Sequence, residues 1–354
     1  MAVRRLAACG LGLLLAMPAA AQTPPPRDSL HMVFVGDLNF ARGLAHDYLF
    51  AGRGAEVFAG LRDTLRAADI AVANLESILL DRGTRTDTTN SPAFAGPAAL
   101  ALPLLRDAGF DLVGTANNHA WDFGRAGLLE SLAHLDSAGL AHTGTGATLD
   151  DAYRPVIIRR NGWTVAFFSL TLIFNYPDLT VRGHPAACCV AWADTTVMRR
   201  RIRAVRDSAG ADLVILFVHA GLEYRLVPEP NVVQTFRGLI RAGADAVIGH
   251  HPHVVQGFEM LDGKPIVYSL GNCVFKQNSP WTDKGLMVSL TYEPDGSRRL
   301  ALRPLLAGYT PTVAGGADSS AVLARVAESS ERLARLPAAR QRRNVARPRT
   351  RGAH

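Results

Sequence analysis

The sequence predicts an α/β protein whose sheets are mixed rather than purely parallel. Short apolar runs such as residues 32–35 and 213–218 alternate with segments of helical character such as residues 97–108, the pattern of buried strands connected by helices. Asn161-Gly162 lies between two strand-like segments, which indicates a hairpin and therefore at least one antiparallel pair.

Composition indicates a globular protein and argues against a nucleic-acid-binding protein. The chain has 354 residues, 48% hydrophobic and 19% charged, so it is globular and long enough for one large domain or two small ones. The formal charge is +7, but eight arginines and no acids lie in residues 332–354, and Arg4 and Arg5 lie at the other end. Without these ten charges the body carries about −3, which argues against nucleic acid as a partner.

The two ends are predicted to be distinct from the body. Arg4 and Arg5, an apolar run and Ala19-Ala20-Ala21 have the features of an export signal over residues 1–21. We expect export to the periplasm or the extracellular space, with an uncleaved membrane anchor as the alternative. The other predicted regions are a linker at 22–30, the main domain at 31–312, a C-terminal helix at 313–336 and a basic disordered tail at 337–354.

Ligand-type side chains follow each buried strand of the N-terminal half. The predicted strands are 31–37, 70–73 and 111–116, the predicted helices are 56–67, 97–108 and 125–138, and a polar loop is predicted at 84–92. Open α/β sheets place ligands outside the carboxyl ends of their strands. The candidate site residues here are Asp37, Asn39, Arg42, Glu76, Asn118, His119 and Asp122.

The C-terminal half repeats this pattern and ends in a histidine cluster. Predicted strands are 156–160, 163–170, 213–218, 244–248, 265–270, 285–292 and 300–306, with helices at 196–209, 232–242 and 318–336 and an irregular lid or binding loop at 175–194. In an extended segment residues two apart share a side, so His251 and His253 are predicted to project together. The alternative is that they are exposed or satisfied core histidines. The candidate residues are His219, Glu223, Arg225, His250, His251 and His253.

The candidate ligands combine carboxylate, amide oxygen and imidazole. This mixture suits Mn, Fe or Zn better than an all-oxygen calcium site or a thiolate site. Six candidate ligands are enough for two divalent ions that share a carboxylate.

The cysteines point to no catalysis. Cleavage of the export signal would leave Cys188, Cys189 and Cys273, with no metal-binding spacing. We expect Cys188 and Cys189 to be two thiols, and a vicinal disulfide in an oxidising compartment is the alternative.

Six segments carry a family resemblance. They are Gly36-Asp37, Ala73-Asn74-Leu75-Glu76, Ala116-Asn117-Asn118-His119 with Asp122-Phe123-Gly124, His219-Ala220-Gly221-Leu222-Glu223-Tyr224, residues 249–257, and Tyr268-Ser269-Leu270-Gly271-Asn272. The sequence resembles the capsule synthesis protein CapA family, associated with poly-γ-glutamate. That family is similar in fold to the calcineurin-like metallophosphoesterases, which implies a four-layer α/β/β/α sandwich of mixed sheets flanked by helices.

The resemblance also implies roles for the candidate residues. The implied metal ligands are Asp37, Glu76, Asn118, His219, His251 and His253. His119 resembles the acid histidine, with Asp122 orienting its ring, and Asn39 stands where a histidine is expected. Candidates for contact with substrate are Asn39, Arg42, Glu223, Arg225 and His250. Ala220 and Cys273 replace aromatic residues typical of relatives, which we expect to remove bulk near the site.

Two functions are compatible with these residues. The first is an exported metal-dependent hydrolase of a phosphoester or a γ-glutamyl amide, using two divalent ions of Mn, Fe or Zn. The second is an accessory protein that holds an anionic polymer such as poly-γ-glutamate without cleaving it, with membrane-bound synthesis or export machinery as a further partner.

Overall fold

A computed structural model describes residues 27–81, 93–175 and 188–336. The predicted export signal, most of the linker, the polar loop at 84–92 and the basic tail lie outside these residues. Among the described residues no helix combines the length and the apolar character needed to cross a bilayer.

Sixteen strands and eight α-helices are found in the described residues. The strands are β1 Leu30–Leu38, β2 Ile70–Leu75, β3 Ile78–Leu80, β4 Ala95–Pro97, β5 Leu112–Gly114, β6 Ala141–Thr143, β7 Val156–Arg160, β8 Trp163–Thr171, β9 Leu213–His219, β10 Ala246–His250, β11 Phe258–Leu261, β12 Lys264–Val267, β13 Asn272–Val274, β14 Lys284–Tyr292, β15 Arg298–Leu306 and β16 Thr312–Val313. The helices are α1 Arg42–Leu44, α2 Arg62–Arg66, α3 Ala98–Ala108, α4 Gly124–Ser137, α5 Leu149–Ala152, α6 Thr195–Ala209, α7 Pro230–Ala242 and α8 Gly316–Ala334.

Two mixed sheets form the centre of the protein. The first has the order β16-β15-β14-β1-β2-β5-β6, with β13 also beside β1, and the second has the order β11-β12-β10-β9-β8-β7. Strands β1, β2, β5 and β6 are parallel, as are β8, β9, β10 and β12. The carboxyl ends of these strands therefore lie at one edge of each sheet.

The alternation of side chains along the strands produces the layers. In β1, Met32 and Phe34 face the second sheet, where the Phe34 ring centroid lies 6.0 Å from that of Phe217. Val33 and Val35 face the opposite way, into a cluster formed with the helices. The outer face of the second sheet packs against α6 and α7. Strands buried on both faces explain the continuous apolar runs, and the four-layer α/β/β/α sandwich is confirmed.

The predicted hairpin is also confirmed. β7 and β8 pair antiparallel around Asn161 and Gly162, whose φ angles are 52° and 78°. Two consecutive residues with positive φ make the primed turn that matches the right-handed twist of the strands.

The helix predicted at 56–67 is wrong in its first half. A 3-10 helix covers Gly54–Glu56 and α2 begins only at Arg62. Between them the amides of Ala59 and Leu61 donate to carbonyls three residues earlier, at 3.2 and 3.0 Å. Gly60 approaches the Pro311 carbonyl so closely that a Cβ would lie 2.7 Å from its oxygen, so tertiary packing overrides local helical preference here.

The cysteine expectation is corrected as well. A disulfide joins Cys188 and Cys189. Cys189 is buried against Trp121, and Nη1 of Arg125 donates to both sulfurs at 3.3 and 3.0 Å. The Cys189 carbonyl accepts from Gly146 at 2.9 Å, so the backbone at the pair is anchored. Sequence spacing alone could not supply these tertiary contacts.

Gly36 is predicted to be required because β1 runs close beside Gly271, the residue before β13. A Cβ at this position would lie 2.0 Å from the Gly271 carbonyl oxygen, which accepts the Asp37 amide. Gly36→Ala is expected to lower the free energy of unfolding by roughly 1–3 kcal/mol, measured by urea denaturation. The matched control is Gly315→Ser, because a Cβ at this helix N-cap meets nothing within 4 Å. Equal stability of the two variants would contradict the prediction.

Candidate metal centre

Strand ends from both sheets meet at one buried site. The first sheet contributes the ends of β1, β2 and β5, and the second contributes the ends of β9 and β10. The side chains found there are between 0 and 7% exposed. They are Asp37, Glu76, Asn118, His119, His219, His250, His251 and His253. The structure thus brings together every metal ligand implied by the sequence.

Glu76 is the central group of the site. It is fully buried, and neither of its carboxylate oxygens has a hydrogen-bond partner among the described residues. Imidazole nitrogens of His219, His253 and His119 lie 3.4, 3.7 and 3.9 Å from Oε1. Burial, together with the negative charge of Asp37, raises the pKa of Glu76 well above 4.5. A buried carboxylate without hydrogen bonds is costly unless a cation accompanies it.

One set of donors gathers on the side of Glu76 nearest β9. Nε2 of His219 lies 2.7 Å from Oδ1 of Asn118 and 3.1 Å from Nδ1 of His251. Ligand atoms of Glu76, His219 and His251 all lie within 4.8 Å of one another. Burial lowers the pKa of His251 to about 3 and that of His219 well below 6.5, so both imidazoles are neutral at pH 7. Neutral imidazoles with converging nitrogens are suited to a divalent metal.

A second set lies on the β1 side and shares Glu76. Ligand atoms of Asp37, Glu76 and His253 are within 4.8 Å of one another. Burial opposes ionisation of Asp37, but His250 and His253, at 3.1 and 3.4 Å, outweigh it and hold its pKa well below 3.8. Asn74 donates to Oδ1 of Asp37 at 2.8 Å. Asp37 is therefore an ionised carboxylate held in one orientation.

The histidine pair converges for a reason different from the one predicted. β10 ends at His250, and His251 and His253 have φ angles of 98° and 56°. They lie in a left-handed bend rather than on one extended strand, so the period-two argument is wrong. Their ring centroids are nevertheless 5.8 Å apart. Left-handed backbone is rare outside glycine, and functional sites are where such conformations cluster.

His119 is oriented by two neighbours. Its Nδ1 lies 2.7 Å from Oδ2 of Asp122, which also accepts the Phe94 amide at 2.7 Å. The Phe94 ring stacks on the imidazole, with centroids 3.8 Å apart, and Cζ of Arg42 lies 4.3 Å from the centroid of the Phe94 ring. Burial lowers the pKa of His119 although Asp122 opposes the shift. With Nδ1 held by Asp122, Nε2 is the nitrogen nearest to Glu76.

Asparagines around the site were missed as contributors by the sequence argument. Asn272 Oδ1 lies 2.9 Å from Nδ1 of His253, and its amide donates to the Thr282 carbonyl at 3.0 Å. Asn175 accepts from the amide of Asn118 at 2.9 Å. Such outer contacts fix ring orientation and tautomer. A strand-end position was the available signal for Asn272, and the start of the predicted lid or binding loop at 175–194 was the available signal for Asn175.

The predicted substrate residues are divided between the site and the surface. Asn39 and Arg42 line a cleft of about 610 Å³ beside the cluster, together with Tyr224, Phe275 and Lys276. Asn39 is buried, and its Oδ1 accepts the Ala41 amide at 2.8 Å.

Arg225 is exposed and contacts Gln256 through its backbone carbonyl. Its role in substrate contact remains a prediction.

Cys273, which was expected to remove aromatic bulk near the site, lies in the core instead. Cys273 is fully buried in the core cluster between the first sheet and its helices. Phe275, two residues later, packs edge-on against His253 with ring centroids 4.9 Å apart. On β13 itself, Val274 joins Cys273 in the core cluster, and Asn272 contacts His253.

The donor set and the unpartnered oxygens of Glu76 together fit a divalent metal. A four-layer sandwich with such a cluster at its strand ends is a metallophosphatase-like fold. The profile of the family described as "Bacterial capsule synthesis protein PGA_cap" matches residues 31–277, and the chain belongs to this family.

Known relatives are similar over most of the chain. The PGA biosynthesis protein CapA of Bacillus subtilis (strain 168) is 28% identical over 299 residues, covering 80% of this chain and 74% of that protein. A "Probable polyglutamine synthesis accessory protein" of Mycobacterium tuberculosis is 27% identical over 231 residues, covering 62% of this chain and 58% of that protein. A solved structure of the Thermus thermophilus sulfate thiohydrolase SoxB has 14% identity and a TM-score of 0.43, covering 86% of this chain and 61% of that chain.

Proposed function

We propose that this protein is an exported metal-dependent hydrolase that acts on a phosphoester or a γ-glutamyl amide of an anionic polymer. The observation that carries the proposal is the buried Glu76 carboxylate, whose two oxygens have no hydrogen-bond partner in the described part of the chain while neutral imidazoles surround it. A structural ion pair would instead satisfy its oxygens within the protein.

The candidate ligands form two sets, one for each of two divalent ions. Glu76, Asn118, His219 and His251 would hold one, and Asp37, Glu76 and His253 would hold the other. When bound, Mn, Fe or Zn would lower the pKa of water and stabilise charge that develops on the attacked group. The low pKa of His251 and His219 keeps both imidazoles neutral, so one nitrogen of each ring has a lone pair that can bind a metal.

His119 is assigned to proton transfer. Asp122 accepts from Nδ1, which fixes the ring and leaves Nε2 to give or take the proton at the leaving group. The stacked Phe94 ring limits rotation of the imidazole and shields one face from water. Asp122 thus positions His119 and favours its charged form.

The cleft beside the cluster supports an anionic substrate. Arg42 and Lys276 line it together with the amide side chains of Gln277 and Asn278. Guanidinium and ammonium groups suit carboxylate and phosphate. The names of the relatives, which refer to PGA biosynthesis and polyglutamine synthesis, support an anionic polymer as substrate.

Removal of metal tests the proposal. Chelator treatment of the purified chain is expected to abolish hydrolysis of a phosphoester panel and of γ-glutamyl oligomers, and added Mn²⁺ or Zn²⁺ is expected to restore it. Product formation is followed with and without chelator, and a mock-dialysed sample is the control. Hydrolysis that survives complete metal removal would refute the proposal.

A non-catalytic accessory role is the second candidate. The open cleft with two cationic side chains favours it, and so does the name of the M. tuberculosis relative, which is described as an accessory protein. Retention of poly-γ-glutamate by the metal-loaded chain, without any product, would establish this function in place of hydrolysis.

A further inference from the structure

The loop after β9 is fixed against the histidine bend. Its Ala220 amide donates to the His250 carbonyl at 3.0 Å, and its Tyr224 amide donates to the Pro252 carbonyl at 2.8 Å. Gly221 and Tyr224 have φ angles of 112° and 64°, so the loop turns sharply at both places. Glu223 lies between these two anchors, directly before Tyr224, and is therefore held at a defined position beside the bend.

Glu223 lies close to both metal-facing histidines. Its carboxylate and a ring nitrogen each of His251 and His253 are all within 4.8 Å of one another. Glu223 is exposed, whereas both histidines are buried. Because His253 also belongs to the set with Asp37 and Glu76, the Glu223 carboxylate approaches the same centre from the solvent side.

The set on the β1 side has room for another donor. Asn39, at the position where the resemblance expects a histidine, has its Oδ1 committed to the Ala41 amide at 2.8 Å. Asp37, Glu76 and His253 form that set among the histidine, cysteine, aspartate and glutamate side chains of the described residues. Three protein ligands leave a position open in the coordination that Zn, Mn or Fe usually takes.

The charge balance points the same way. The carboxyl groups of Asp37, Glu76 and Glu223 all approach this one site. A divalent cation among these groups turns mutual repulsion into attraction.

We propose that Glu223 is a ligand of this metal centre and closes it from solvent beside His251 and His253. The inference rests on the proposed metal-dependent function and reassigns Glu223 from substrate contact to metal binding. It also supplies a donor to the set on the β1 side, where Oδ1 of Asn39 accepts the Ala41 amide.

The test compares Glu223→Gln with Glu331→Gln in the full chain. Glu331 is exposed on α8, where it lies 4.0 Å from Arg335, so this control makes the same charge change away from the centre. Chelator-treated proteins are titrated with Co²⁺ alone, and binding is followed by the visible absorption of the bound ion. Circular dichroism verifies that each variant is folded.

The parent protein and Glu331→Gln are expected to bind two Co²⁺ ions with the same affinities. In Glu223→Gln one dissociation constant is expected to rise at least about tenfold, with an altered absorption band, while the other is unchanged. Two unchanged dissociation constants in Glu223→Gln would overturn the assignment of Glu223 and leave the metal-dependent function intact. A parent that binds no Co²⁺ would overturn both.

Discussion

Replacing His251 and His253 together with alanine is expected to abolish metal binding. His251 contributes a nitrogen to one donor set around Glu76, and His253 contributes a nitrogen to the other. The double variant therefore disrupts both sets. Elemental analysis of protein purified without chelator should find near two equivalents of Mn, Fe or Zn in the parent and close to none in the variant. Because an ion that binds only the folded state stabilises it, added metal should raise the Tm of the parent and leave that of the variant unchanged.

The control for this experiment is His46→Ala with His142→Ala. These two histidines lie away from the cluster; His46 is exposed and pairs with Asp47, and His142 is half-buried and pairs with Asp136. The control should retain the full metal content of the parent. A His251/His253 variant that still holds two equivalents would show that the centre lies elsewhere. A parent without metal, even after reconstitution, would shift the function to polymer binding.

His119→Ala is expected to separate catalysis from metal binding. His119 lies 3.9 Å from Glu76 but is held by Asp122 and Phe94 rather than within either donor set. Loss of a general acid lowers turnover by about 10²–10⁴-fold. The variant should therefore keep its metal content and lose kcat by that factor on the substrate identified by the hydrolysis screen.

Asp122→Asn is the companion variant. It removes the charge that favours protonated His119 but leaves the imidazole in place, so its kcat should fall less than that of His119→Ala. A His119→Ala protein with both parental kcat and parental metal content would exclude His119 from proton transfer. Loss of metal in that variant would instead make it a ligand.

The site could be located from sequence because buried strands end in polar groups. Asp37, Glu76 and His219 follow apolar runs, and the rule that ligands lie beyond the carboxyl ends of parallel strands placed them together. It could not show that two different sheets supply them. The hairpin at Asn161-Gly162 was predictable for a local reason, since two residues of the turn determine its backbone.

The features that sequence could not predict depend on contacts between distant segments. The left-handed bend at His251 and His253 is stabilised by the Tyr224 amide and by Asp37, neither of which is near it in the chain. Short strands such as β6 and β13 lack the length for a period-two pattern, so their pairing with neighbours defines them. The break at Gly60 depends on Pro311 in the same way.

The arrangement of the site across two sheets also bears on how the chain folds. Asp37 and His250 meet although 213 residues separate them, so a high contact order is built into the centre. Neither sheet alone carries a full set of ligands, and ions can bind only after the sheets have docked through the layer that includes Phe34 and Phe217. A metal bound at this centre would therefore not nucleate folding. It would instead slow unfolding, because separation of the two sheets would first have to release the ions.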